Sequence, residues 1–448
     1  MKTVSGIHYL LPGNNERCIR LEIPWEEATP LQWLSLFPEH RRWYWKARDD
    51  SVEVAGVDAV LEVHTDWSGI SQTLSRVRAQ IPSHPDAGCF CAVQFQPAQE
   101  QKTGLFVLPR WECFRSGNRQ VLAIHGRADE NPGTLLKQLN IMAEQSSARL
   151  REVGEPDEPN TPAIISREDL PDRSAWLNTV QKAATSIDMG HLVKVVPARR
   201  TTLRSETPVD PINIVDRLKS LNRTGNFIFC YAVPGEKYFI GASPERLFVR
   251  VDSMVGTEAI AGTAPRNSDN LLDDNAARHL LASRKNRAEH EIVVRYITEQ
   301  LETLNITALK EKTRILTLPV CHHLITSLMG NIPEDVTDAQ LLTLLHPTPA
   351  VAGYPRSAAI RWLMENEPFN REWYAGPVGR IYWHGAEFCV GIRSALVEEN
   401  LVHAYTGAGI VRHSQPAAEW NELEIKLQTI LNALSLPNID ARYKLKYF

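Results

Sequence analysis

Residues 377–411 read PVGRIYWHGAEFCVGIRSALVEENLVHAYTGAGIV. Three runs inside this stretch, Gly379 to His384, Glu387 to Ser394 and Leu401 to Ala404, have the β-branched and aromatic character of strands, and the turn residues Gly385 and Asn400 fall between them. Strands this closely spaced double back on one another, so the reading is antiparallel hairpins. A helix follows: Pro416 to Leu434 starts with proline, which suits a first helical turn, and repeats Trp420, Leu423, Leu427 and Leu431 on one face.

Working back towards the N-terminus, the pattern is mixed. Ser174 to Asp188 has helical spacing, and alternating strand-like runs follow at Leu192 to Val196, Phe227 to Val233 and Tyr238 to Gly241. Asp274 to Leu304 carries apolar residues on one side only and reads as one long helix. Before residue 150 the short runs Arg42 to Trp45, Val52 to Val54 and Cys89 to Phe95 indicate a sheet with few helices. Between these regions, REVGEPDEPNTPAIISREDLPD (151–172) is rich in proline and acid and reads as a linker or surface loop. The expected organisation is therefore a sheet-containing region over 1–150 packed on the core, the connection over 151–172, a catalytic region over 173–436 and a tail over 437–448. The fold class is α+β with extensive antiparallel sheet, not a doubly wound parallel one.

Composition removes several function classes. Forty-nine basic against fifty-three acidic residues give a net charge of −4, which supplies no field for nucleic acid or an anionic membrane. The seven cysteines form no CxxC pair and no zinc-like spacing with histidine, which fits reduced thiols. The first apolar run is too short for a signal peptide, and no run approaches the roughly 20 residues of a membrane span. A cytoplasmic protein is the expectation. GxGxxG after a strand, GxxxxGK[ST], HExxH and GxSxG are all missing, so no nucleotide cradle, zinc helix or serine elbow is in view.

What remains is polar residues set in apolar surroundings. Lys194 interrupts the strand-like run LVKVVP; on an edge it would simply face water, whereas buried it could lose its proton and act as a base. Glu245 sits in the tight turn GASPERL; it is either a solvated turn residue or a carboxyl kept protonated against an apolar wall. Glu289 stands on one helical segment, and Glu419 and Glu422 stand three apart on another, so the last two share a face. They form either a solvated face, with Glu422 spaced to pair with Lys426, or the oxygen-rich setting that Mg²⁺ prefers. Gly407 and Gly409 after a strand mark a bulge or a close approach of backbone N–H groups to an anion, and Arg393 in a neighbouring apolar strand offers a fork for a carboxylate.

The order of these motifs resembles the chorismate-utilising enzymes, a family that includes isochorismate synthases, salicylate synthases and the synthase subunits of anthranilate and aminodeoxychorismate formation. The matching segments lie between residues 192 and 428: LVKVVPARR, GASPERL, EAIAGT, KNRAEHEIVV, HHL, HPTPAVAG, FNREWYAGPVG, GIRSAL, YTGAGIV and AEWNELEIK. RRWYWKARDD and VLPRWECF, nearer the N-terminus, look more like the menaquinone-pathway isochorismate synthases. The resemblance implies an anthranilate synthase component I-like fold, with large antiparallel sheets and flanking helices around a central cleft.

It also implies roles. Lys194 would be the general base that activates water, and Glu245 the acid that protonates the departing C4 hydroxyl. Glu289 and Glu422 would ligate Mg²⁺, with Glu419 touching it through water. Tyr374, Arg393, Lys426 and the backbone at Gly407 and Gly409 would hold the carboxylates of chorismate. Gly262, Thr263, His323 and Ala350 would line the ring pocket, His323 being preferred to His322 for its place before Leu324. Relatives that use ammonia carry glutamine at the position of Lys194, and those that make aminodeoxychorismate carry a lysine nucleophile at the position of Ala261, so this chain is expected to use water and to need no amidotransferase partner. A salicylate synthase and a catalytically silent chorismate-binding module are the alternatives. A monomer is the expected state. Arg380, where relatives often have an aromatic or apolar residue, has no explanation at this level.

Overall fold

A computed structural model describes residues 2–4, 7–9, 18–95, 103–153, 162–222 and 225–436. The expected tail over 437–448 and part of the 151–172 connection lie outside these residues.

The hairpins read from residues 377–411 are present, but the run Glu387 to Ser394 is not one strand: it breaks between Val390 and Ser394, where Arg393 takes φ +51°, and its halves belong to separate hairpins. Pro377–Tyr382 pairs antiparallel with Gly385–Val390, and Ser394–Glu398 with Leu401–Gly407. Successive antiparallel pairings extend them into one large sheet with helices on its flanks. The N-terminal strands belong to that same sheet: Arg42–Lys46 pairs with Phe227–Val233, and Gly88–Val93 with Pro377–Tyr382.

Strand alternation explains how this sheet buries two faces. Phe227, Phe229 and Tyr231 point into one apolar core, while the intervening Ile228 and Cys230 point into a second. A strand covered on both sides reads as a continuous apolar run, as FIFCYAV does.

Four other local readings change. The segment Asp274 to Leu304 is two helices, Asn270–Ala282 and Arg284–Thr303, because Ser283 is extended and its side chain accepts a hydrogen bond from the Asn286 N–H, capping a new helix. The run Leu192 to Val196 shrinks to Lys194–Val195, which pairs with Gly353–Tyr354 apart from the large sheet. Gly353 is needed there: at φ +133°, any Cβ would lie 2.3 Å from the Lys194 carbonyl oxygen. The acidic connection holds a strand, Ile164–Leu170, which pairs with Ala198–Ser205. The N-terminal region also contains the long helix Pro132–Val153, which buries Leu135 and Leu139 against the sheet but whose apolar stripe is too narrow to stand out in sequence.

Arg380 turns inward from its strand, fully buried, with its guanidinium 5.4 Å from the Phe90 ring centre and 5.2 Å from that of Tyr382. The nearest carboxylate is that of Glu112, with Oε2 at 3.6 Å.

Candidate active site

The strand pairings bring distant segments around one cavity of about 670 Å³ including its mouth. Lys194, Glu245, Gly262, Thr263, Glu289, His323, Ala350, Tyr374, Arg393, Gly407, Gly409, Glu422 and Lys426 all line it. Of the residues given a catalytic, substrate or metal role in sequence, Glu419 is the one that does not reach the wall.

Lys194 is 1% exposed and does not sit on a wet edge. Its Nζ lies 2.8 Å from Oε1 of Glu289, which projects from the Arg284–Thr303 helix. Gly409 permits this meeting, because a Cβ there would stand 2.5 Å from that same Oε1.

Glu245 is also buried, on the turn between Lys237–Ser243 and Arg246–Val251. Burial pushes its carboxyl up to about 8, although the charge of Lys194 pulls the other way. Thr348 Oγ1 donates to Glu245 Oε1 at 3.4 Å, a partner the sequence reading did not name. The turn is clamped from behind by Arg48 of the N-terminal region, whose Nη1 donates to the Pro244 carbonyl at 3.1 Å and to Glu258 Oε2 at 2.6 Å. Nothing in local sequence links Arg48 to a turn almost two hundred residues away; only the pairing of strands does.

The doubled histidine resolves cleanly. His323 lines the cavity, with Nδ1 at 3.0 Å from the Gly262 carbonyl, while His322 turns to the other face and meets Asp273 at 2.9 Å and Thr317 at 3.0 Å. Consecutive strand residues must part in this way. Arg393 is 6% exposed, its Nη1 donates to Thr429 Oγ1 at 3.2 Å, and its Nη2 donates to Cys321 Sγ at 3.1 Å. The Tyr374 ring stacks on Tyr405 with centres 5.2 Å apart. Lys426 Nζ donates to the Gly407 carbonyl at 2.8 Å and pairs with Glu422 at 2.7 Å.

The three glutamates offer oxygen donors only, which suits a hard divalent cation. Burial, together with the neighbouring Glu422 and Glu289, raises the Glu419 carboxyl, so these acids repel one another. Each also has a lysine at hand: Glu289 has Lys194, Glu422 has Lys426, and Glu419 has Lys285 at 3.5 Å. The donor chemistry fits Mg²⁺. Among the described residues, the one trio with ligand atoms mutually within 4.8 Å is elsewhere, Glu22, His84 and Asp86. That trio is already bridged by arginine, since Arg119 pairs with both Glu22 and Asp86.

Residues 7–435 match the family described as chorismate binding enzyme. The chain belongs to that family. Among its chorismate-binding relatives, isochorismate synthase MenF of Escherichia coli K12 is 33% identical over 420 residues, covering 93% of this chain and 94% of that protein. Isochorismate synthase 2, chloroplastic, of Arabidopsis thaliana is 30% identical, covering 96% of this chain and 83% of that protein. The solved structure of MenF, the menaquinone-specific isochorismate synthase from Escherichia coli, superposes with a TM-score of 0.80 at 30% identity and covers 96% of each chain. Anthranilate synthase component I from Streptococcus pneumoniae shares the fold, with a TM-score of 0.65 at 20% identity and coverage of 96% and 95%.

Proposed function

We propose that this chain is an isochorismate synthase serving menaquinone formation, and that Lys194 and Glu245 are its base and acid. One observation carries the assignment of roles: a buried lysine and a buried carboxyl held up to about 8 line the same cavity, beside Arg393 and Lys426 for an anionic ligand. The high carboxyl value keeps a proton available near neutral pH, as a general acid requires.

In this reading Lys194 takes a proton from the water that attacks C2 of chorismate. Glu245 gives its proton to the C4 hydroxyl, which leaves as water. The C2–O bond forms as the C4–O bond breaks and the ring double bonds shift, so no electrons enter or leave. Arg393, Tyr374 and Lys426 orient the carboxylates, and Ala350, Gly262, Thr263 and His323 confine the ring. Ala261 lines the cavity with a methyl group only, which cannot form a covalent adduct with the ring.

Magnesium would be held by Glu289 and Glu422, with Glu419 behind them, and when bound it supplies positive charge that offsets repulsion between these carboxylates and the substrate. Because water is the nucleophile, the reading requires no amidotransferase subunit, and a monomer suffices. No described helix is long and apolar enough to cross a membrane.

The test is purified protein with chorismate and Mg²⁺, with products separated by chromatography. Isochorismate formed reversibly, and abolished by chelator, is the expected result. Salicylate with pyruvate would make the chain a salicylate synthase, and chorismate binding without turnover would make it a silent module.

A further inference from the structure

Cys321 begins the strand Cys321–Asn331, two residues before His323, so both side chains leave the same face. Its thiol is fully buried behind the cavity wall. Three atoms close a triangle there: Arg393 Nη2 lies 3.1 Å from Cys321 Sγ and 3.1 Å from His323 Nε2, and the sulfur lies 3.2 Å from that nitrogen. The other ring nitrogen, Nδ1, faces the Gly262 carbonyl, which can only accept. A neutral His323 therefore carries its hydrogen on Nδ1 and presents a lone pair at Nε2.

The two hydrogens of Nη2 are thus taken up by sulfur and imidazole, while Nη1 holds Thr429. A guanidinium has about five N–H donors, so its ε N–H and the second hydrogen of Nη1 stay free for a ligand. Arg393 also adopts φ +51°, a left-handed backbone unusual for arginine. Burial pushes up the other six thiols, whereas the Arg393 guanidinium beside it holds Cys321 down to about 5.

We propose that Cys321 is a positioning residue for substrate binding: its sulfur accepts from Arg393 and locks that fork against His323, aiming the remaining donors at a substrate carboxylate. The proposal rests on reading the cavity as the chorismate site.

Kinetics of Cys321→Ala, Cys321→Val and Cys321→Ser test it. Alanine and valine offer Arg393 no acceptor, so each is expected to raise KM for chorismate about tenfold while leaving kcat within about twofold. Serine keeps an acceptor and is expected to bring KM back to within about threefold of wild type. Valine, about one methyl larger than cysteine, leaves no cavity and stands in for alanine if that variant fails to fold. Unchanged KM in alanine or valine overturns the proposal, and so does a serine variant as impaired as they are, since packing would then be the whole effect. Wild-type protein that converts no chorismate counts instead against the functional reading, because the variants are compared only with an active parent.

Discussion

The ammonium of Lys194 lies 2.8 Å from a carboxylate oxygen of Glu289, and the two side chains are 1% and 13% exposed. A base needs its amine free, and a metal ligand needs its carboxylate free. Each residue is thus held in check by the other until a cation takes Glu289. Removing one member strands a buried charge, so Glu289→Ala is expected to lower metal-free stability by about 3 kcal/mol in urea unfolding. Adding Lys194→Met should restore most of that loss, because the charge needing a partner is then gone. Additive losses in the double variant would show that the pair is not coupled.

Glu245 makes stability and activity depend on pH in the same direction. Its folded value, about 8, lies above the ordinary carboxyl value of 4.5, so the native state binds the extra proton between them. Its stabilising contribution is complete below 4.5 and is lost as pH rises through about 8. Glu245→Gln, which cannot ionise, should therefore be more stable than wild type above pH 8 by on the order of 5 kcal/mol, and equal to it at low pH. The same variant should lose turnover while still binding chorismate. In the parent, kcat/KM should fall on the alkaline side as this acid is spent. A variant with wild-type turnover, or with no stability gain at high pH, would count against the assignment.

The hairpins, the helical carboxylates and the charges inside apolar runs are local signals in the sequence, but each of the charged groups leaves two readings open; the roles of these residues, and the places of Tyr374, Thr263, His323 and Ala350 in the cavity, are implied only by the resemblance to the chorismate-utilising enzymes. Partnerships that depend on which strands become neighbours could not be read from sequence. That His323 rather than His322 faces the cavity follows from alternation only once the facing strand is known. Thr348, Cys321 and Arg48 carry no local mark at all. The single-helix reading of Asp274 to Leu304 failed for the opposite reason, since Ser283 is an ordinary helix residue until its hydroxyl caps Asn286. The N-terminal strands are expected to pack on the core; that they join its sheet is not legible in sequence, because the bonds tying them to the rest run across the sheet and not along the chain.

Arg48 illustrates what such a distant bond does. It fastens the turn bearing Glu245 by donating to the Pro244 carbonyl, and it neutralises the nearly buried Glu258. Arg48→Ala should lower kcat by about tenfold through loss of alignment, with a smaller change in KM. Arg246 lies 3.6 Å from Glu258 and can take part of the released charge, so the fold should survive. An unaltered kcat would mean that the strands alone fix the turn.

Arg380 allows a prediction of opposite sign. Its three guanidinium nitrogens are buried without a hydrogen-bond partner among the described residues, and its closest carboxylate, Glu112, already binds Arg20 Nη1 at 2.6 Å. Aromatic rings around it, Phe90, Tyr382 and Phe114, return only part of the cost of removing a cation from water. Methionine fills much of the same volume and needs no partner, and Glu112 would keep Arg20. Arg380→Met is therefore expected to be neutral or to gain about 1–3 kcal/mol in urea unfolding, with chorismate turnover unchanged, since the residue does not line the cavity. A loss of more than about 3 kcal/mol would instead show that the guanidinium is fully satisfied in the native protein, because only a charge with good partners is that costly to replace.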